Sequence, residues 1–238
     1  MKHYVVTYNF YLPDGSMEKF DLKLNRETME IVGNVPEDKP EWTRLEFHQC
    51  PNCPLSPKEH PHCPLALNLV NLVEPFDGLL SHETIELTVV TEERTIMQWT
   101  TAQRGISSLM GLVIATSGCP HTAFLRPMAR FHLPLASNEE TLYRATSMYL
   151  LSQYFVKKNG STADLELDGL GKIYKEMETI NAAVANRLRA ATSTDSSVNA
   201  IVVLDVYAKS VKMVIDNSLE KIRYLFKPYF RDDARAQP

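Results

Sequence analysis

The stretch HQCPNCPLSPKEHPHC, residues 48–63, holds three of the chain's four cysteines and three of its seven histidines. The fourth cysteine, Cys119, stands in a similar setting and is followed by Pro and His. The Cys50-x2-Cys53 spacing lets two thiolates reach one metal ion from a single tight turn. We therefore expect Cys50, Cys53, Cys63 and Cys119 to form one metal site drawn from two distant segments.

A proline follows each of the four cysteines. Proline fixes the direction in which the chain leaves the cysteine and removes one backbone N–H that would otherwise be able to bond to sulfur. Four thiolates suit zinc in a structural site, which is the interpretation that we favour. Iron–sulfur clusters also tolerate Cys-Pro, although the long interval between Cys53 and Cys63 departs from the ferredoxin spacing. Haem or another metal remains a weaker alternative.

The histidines near the cysteines allow other ligand sets. Mixed Cys and His sets are common for zinc, and an open ligand position filled by water would make the site catalytic. We expect these histidines to support the ligands or to replace one of them. They are His48, His60, His62 and His121.

Length, charge and cysteine usage limit the classes of protein to which the chain can belong. The 238 residues are enough for a sizeable core, and the net charge of −4 gives no basic surplus for nucleic acid or an anionic membrane. No apolar run approaches the roughly 18 residues of a membrane span, and the first residues lack the apolar core of a signal peptide. We expect a cytoplasmic protein with thiols rather than disulfides, although two disulfides or unrelated thiols remain alternatives.

The first third of the chain has the pattern of an antiparallel sheet. Residues 3–12 are rich in β-branched and aromatic side chains, and residues 20–24 alternate apolar with polar. A short third strand is expected at 29–32, another at 42–47 and the last one of the sheet at 84–91. The apolar run 64–73 is too short for periodicity to distinguish helix from strand.

From residue 92 onward the apolar spacing becomes mostly helical, beginning with Ile96 and Trp99. A capped helix is expected from about residue 139 to 156, followed by two long apolar stripes, 170–188 and 201–225, that predict a helical hairpin. The fold class is therefore α+β, with an N-terminal antiparallel β-meander and metal-binding knot followed by a C-terminal helical bundle. We expect one unit at 1–93 and a second at 94–238, joined through Cys119.

Several cations lie in or near the loop that follows Cys119. Arginine side chains match the geometry of carboxylate and phosphate groups. We expect either a pocket for a small anionic ligand at the junction of sheet and helices, or pairing of these cations with nearby acids. The residues are Arg104, Arg126, Arg130 and His132.

Three segments, CPNCPL, HPHCPL and SGCPHTAFLRP, give the chain its resemblance to uncharacterised bacterial families carried as domains of unknown function. The resemblance implies a prokaryotic, cytosolic protein and supplies no catalytic residues. We expect a zinc-stabilised binding or assembly module that forms a homo-oligomer or binds a protein partner through the hairpin at 165–228. The alternatives are an iron–sulfur redox or sensor protein and a metal-dependent enzyme acting at the Cys/His/Arg junction.

Overall fold

The computed structural model describes residues 2–192, 195–217 and 219–230. Two β-hairpins form the N-terminal sheet. Strands β1 (His3–Tyr11) and β2 (Met17–Asn25) make the first, and β3 (Thr84–Val90) and β4 (Thr95–Thr101) make the second. β1 also pairs with β3, so the four-stranded antiparallel sheet has the order β2-β1-β3-β4. The antiparallel sheet expected from the sequence is confirmed.

One face of the sheet forms the core. Alternate residues of β1, β2 and β3 are buried there, as a half-buried strand requires. Phe10 contacts the edges of two further rings, with centroid distances of 5.7 Å to Phe20 and 4.9 Å to Phe76. The buried positions are Tyr4, Val6, Tyr8, Phe10, Phe20, Leu22, Leu24, Ile85, Leu87 and Val89.

The segment 95–101 is a strand and not the start of a helix, so the expectation that residues 84–91 form the last strand was wrong. Ile96 pairs with Val89 and Trp99 with Glu86 across the β3–β4 ladder. The spacing of three between Ile96 and Trp99 is helical by coincidence, since Trp99 is 65% exposed. The sheet thus extends past residue 93, and the division of the chain into two units there stays a prediction.

The expected strand at 42–47 was also wrong. A short 3₁₀ turn, Glu41–Thr43, replaces its beginning, and only an isolated bridge joins Arg44 to His62. The backbone N–H of Leu45 donates to the carbonyl of Pro61 at 2.9 Å, so this segment pairs with the cysteine-containing loop 48–63 instead of the sheet. The segment 29–32 likewise makes one isolated bridge, from Ile31 to Leu24, and no strand.

Helices make up most of the rest of the chain, and the first of them lies between the two β-hairpins. The ambiguous apolar run is helix α1 (Pro64–Val73), which begins with proline at its first position, where no N–H is needed. α2 (Ala102–Thr116) packs on the sheet, and α3 (Arg126–Arg130) is a single short turn. α4 (Asn138–Lys158) starts with a capping box between Ser137 and Glu140, which confirms the capped helix.

The chain closes with the predicted helical hairpin. α5 (Asp168–Ala191) and α6 (Ser196–Asn217) pack against each other, and α6 also packs on α2. α7 (Leu219–Ile222) and a 3₁₀ segment, Arg223–Tyr229, follow. The stripe positions Val211 and Ile215, and the tail 231–238, lie outside the part of the chain whose side chains are described.

Candidate metal centre

The loop that carries Cys50 and Cys53 is a tight turn. The N–H of Cys53 donates to the carbonyl of Cys50 at 3.0 Å, which brings the two residues to neighbouring positions on one bend. All four cysteines are thiols with no disulfide among them, and each is half-buried. Cys50, Cys63 and Cys119 pack against the apolar core.

Cys63 is fixed from both sides. Its N–H donates to the carbonyl of Thr43 at 2.8 Å, and it immediately precedes α1. The Thr43 hydroxyl also bonds to Nδ1 of His62 at 2.8 Å. The end of the loop is therefore held where the turn at residues 41–43 meets the first turn of α1.

Two contacts bring Cys119 to this loop. His121 Nε2 lies 2.8 Å from the carbonyl oxygen of Asn52, one of the two residues between Cys50 and Cys53. Gly118, with φ +83°, turns the chain after α2, and a Cβ at this glycine would lie 4.0 Å from Cβ of Pro64, the neighbour of Cys63. The segments that sequence analysis joined are adjacent in the fold.

The four thiols lie within range of one another's charge. Burial raises the pKa of Cys50, negative charge on Cys63, Cys119 and Cys53 acts in the same direction, and together they bring it to about 12. Burial likewise raises the pKa of Cys119, with backbone N–H groups acting in the opposite direction and the charges of Cys63 and Cys53 adding to the increase. Ionised together, the thiols would repel one another strongly, so a cation is needed to hold them as thiolates.

The side chains do not converge on a single point. Within residues 2–192, 195–217 and 219–230, no group of three or more Cys, His, Asp or Glu side chains is arranged to hold a metal ion. The backbone thus gathers the cysteine segments, while binding would require the thiol side chains to turn toward a common centre. The metal-binding knot stays a prediction.

Arg187 is a buried cation beside the cysteines. The residue is 2% exposed, and its guanidinium donates to the carbonyls of Trp42, Arg44 and Leu45 at 2.7, 2.8 and 3.0 Å. Burial lowers the pKa of Arg187, whereas the charges of nearby cysteines, Cys63 first, raise it. The carbonyl groups that accept these bonds carry no net charge. Negative charge on the thiols would therefore be what offsets the positive charge of Arg187.

Arg187 was not among the residues expected from the sequence, although the sequence contains a signal for it. The residue lies three positions after Val184 and seven after Ile180, which places it on the apolar stripe of α5. A charged residue on a stripe that packs inward indicates a buried cation with partners elsewhere in the chain.

The four neighbouring histidines occupy different environments. His48, which has φ 46°, and His60 are exposed, and His48 contacts the ring of Phe47. His62 bonds to Thr43, as described. On the other side of the His121 ring, the carboxylate of Glu176 lies 3.7 Å from Nδ1. Asn52 also donates to Glu176. His121 is therefore the histidine whose contacts join the cysteine segments to α5.

The expected anion-binding cations are divided between two environments. Arg126 pairs with Glu30 at 2.6 Å, and Arg130 pairs with Glu93 at 3.3 Å while lying 4.5 Å over the Tyr4 ring. Pairing with nearby acids, which was the alternative to an anion pocket, describes both of these residues. The other two expected cations, Arg104 and His132, line a cavity among the helices.

Comparison with known proteins identifies the family to which the chain belongs. The profile of the family described as "Domain of unknown function (DUF6901)" matches residues 6–227, which is most of the chain. No curated protein and no solved structure matches the chain. Among the described helices, none is long and apolar enough to cross a membrane. The family match confirms the resemblance drawn from the Cys-Pro segments, and the chain belongs to the DUF6901 family of domains of unknown function.

Proposed function

We propose that Cys50, Cys53, Cys63 and Cys119 bind one zinc ion as thiolates and that the ion stabilises the fold. The observation that carries this proposal is the position of Arg187. A zinc ion with four thiolates has a net negative charge, and a buried guanidinium beside it would offset that charge. With neutral thiols instead, Arg187 would be a buried charge compensated only by carbonyl dipoles.

The placement of the cysteines explains what a bound ion would achieve. Loop 48–63 contains little regular structure, and its contacts reach α1, the turn at 41–43 and α5. Cys119 belongs to the connection between α2 and α3. An ion held by all four thiolates would therefore cross-link segments far apart in the chain, and structural zinc sites contribute to folding in this way.

We further infer that the zinc-bound chain acts as a binding or assembly module, with the hairpin at 165–228 as its contact surface for a second copy or another protein. Exposed apolar side chains on that surface support the inference, because exposed apolar area favours association. They include Leu165, Val202, Leu225 and Phe226.

Elemental analysis and an absorbance spectrum of untagged protein purified without oxygen test the zinc site directly. We expect about one zinc per chain and no visible band, as a closed d¹⁰ site requires. Each Cys→Ser variant should lose the zinc and unfold at a lower temperature. Iron with sulfide and a broad visible absorption would instead favour the iron–sulfur alternative, in which the same thiolates hold a redox cluster.

A metal-free protein would contradict the proposal, provided that added zinc also fails to raise its melting temperature. Zinc that exchanges a bound water for cyanide or another small anion would point to an open ligand position, and hence to the metal-dependent enzyme. These results separate the structural site from both of its alternatives.

A further inference from the structure

A cavity of about 180 Å³ lies among the helices, apart from the cysteine cluster. Residues of α2, α3, α4, α5 and α6 and of the connection between α3 and α4 form its wall, and most of its lining is apolar. For comparison, an engineered cavity of about 150 Å³ binds benzene. The cavity therefore has room for a small organic molecule. Its apolar wall includes Leu112, Ala115, Met128, Leu133, Met177 and Leu204.

The charges on the cavity wall are all positive. Arg104, which is exposed, and Arg144, which is half-buried, both line the cavity, and none of its described lining residues is Asp or Glu. Arg144 donates to the carbonyls of Met128 and Phe131, both at 2.9 Å, and these bonds use only part of its donor set. An anionic group entering the cavity would meet two guanidinium groups and no opposing carboxylate.

His132 contributes no charge to this wall. Its ring bonds to the buried Tyr8 hydroxyl, and burial lowers the pKa of His132 to about 3, so the imidazole is neutral at physiological pH. The residue keeps some accessible surface because it borders the cavity. Among the described lining residues, the two arginines therefore supply the positive charge that attracts an anion.

Polar groups of α5 also face this space without partners. Asn181 lines the cavity and is 2% exposed, and its Oδ1 has no hydrogen-bond partner among the described residues. Buried polar atoms are nearly always bonded, so an orphan here indicates a missing partner. Tyr174 lies two helical turns before Asn181 on the same face of α5, and its phenol is near enough to feel the charge of Arg144. The amide and the phenol thus lie two helical turns apart on the side of the cavity formed by α5.

We propose that this cavity binds a small monocarboxylic acid with an apolar body. The carboxylate would accept hydrogen bonds from Arg144 and the Tyr174 hydroxyl, and the body would fill the apolar wall formed by α2 and α6. Asn181 would bond to a polar substituent at the far end of the ligand or to a water molecule carried with it. This proposal does not depend on the zinc site, since none of the four cysteines lines the cavity.

Isothermal titration calorimetry on the full-length, metal-loaded protein tests the proposal, with hexanoate and benzoate as probes. Hexanol and benzyl alcohol have the same apolar bodies without the charge, and acetate has the charge without the body. We expect hexanoate or benzoate to bind at least about tenfold more tightly than its alcohol, because a hydrogen bond to a charged group contributes far more than one to a neutral group. Equal binding of acid and alcohol, or no binding of either acid, would overturn the proposal.

Two variants separate binding in this cavity from binding elsewhere. Tyr174→Phe removes a hydroxyl that is bonded to no described residue, so it should fold normally and weaken binding of the acid about tenfold. Gly111→Leu should fill the cavity and abolish binding. Gly111→Ala is its matched control, since a Cβ there lies at an ordinary 3.5 Å from Leu204. Binding that survives Gly111→Leu in a folded protein would place the acid elsewhere and contradict the inference.

Discussion

Nε2 of His121 lies 2.8 Å from the carbonyl oxygen of Asn52, and this hydrogen bond joins the Cys119 segment to the turn between Cys50 and Cys53. Glu176 of α5 contacts both residues, so the His121–Asn52 pair is also attached to α5. The His121 imidazole is therefore one of the contacts that set the relative position of the cysteines from the two segments.

Replacing His121 by Ala should weaken zinc binding without removing a ligand. Groups that orient metal ligands typically contribute about 10- to 100-fold to metal affinity, and we expect a loss in that range. Competition with a chelator of known zinc affinity measures it. His60→Ala is the control, because His60 is exposed and also lies near a cysteine. If His60→Ala reduces zinc affinity as much as His121→Ala, or if neither variant reduces it, the His121–Asn52 contact does not position the cysteines.

Replacing Arg187 by Met should be strongly destabilising. The variant leaves the carbonyls of Trp42, Arg44 and Leu45 without their donor, and each unsatisfied buried acceptor costs on the order of 1–3 kcal/mol. We expect the free energy of unfolding, measured in urea, to fall by about 3 kcal/mol or more.

Arg189→Met is the matched control for this variant, since Arg189 is exposed and its one hydrogen bond among the described residues is to Asn186 at 2.8 Å. Its effect should stay within about 0.5 kcal/mol. A small effect at Arg187 would show that the carbonyls find water or other donors, and would remove the main support for the proposed zinc site.

Stability should fall in acid partly because of His132. Burial lowers the pKa of His132 to about 3 in the folded protein, whereas an unfolded histidine titrates near about 6.5. The stabilisation from keeping this imidazole neutral is complete above the unfolded pKa and is lost as pH falls toward the folded one. The single-proton limit is about 1.4 kcal/mol per pH unit.

Urea unfolding at several pH values between 5 and 7 measures this dependence. His132→Gln should flatten it by up to that slope, while keeping a polar partner for Tyr8. If the proposed zinc is bound, acid also protonates its thiolates in both proteins, so the difference between the two curves still isolates the histidine. Parallel curves would mean that the pKa of His132 is not lowered, because water in the cavity hydrates its ring.

Two helical glycines should respond oppositely to alanine. A Cβ at Gly105 would lie 2.9 Å from Cδ1 of Ile85 and 3.1 Å from Cε1 of Phe10, where α2 meets the sheet, so Gly105→Ala should destabilise by about 1–3 kcal/mol. At Gly171 in α5 nothing lies within 4 Å, and Gly171→Ala should stabilise by about 0.5–1 kcal/mol. Thermal unfolding of both variants checks the packing of α2 on the sheet. Equal effects of the two substitutions would contradict the close approach at Gly105.

The sequence by itself determined the elements whose burial repeats regularly. Alternation in β1, β2 and β3 and the stripes of α5 and α6 report which face of each element is apolar, and that information is local. The Cys-Pro pattern likewise indicated which residues to group. Local patterns gave wrong predictions in short segments, where too few apolar positions are available to establish a period. The spacing of Ile96 and Trp99 predicted a helix where the chain forms a strand, and the composition of 42–47 predicted a strand that is absent.

Only the tertiary structure decided which distant residues meet. Arg187 reaches three carbonyls of the turn after Pro40, and Tyr174 and Asn181 border a cavity whose opposite walls come from α2 and α4. In the sequence these are a cation and two polar residues interrupting an apolar stripe. Their partners lie far away in the chain. The packing of the helices determines which groups these side chains meet, and that packing depends on the shapes of all the side chains between the helices.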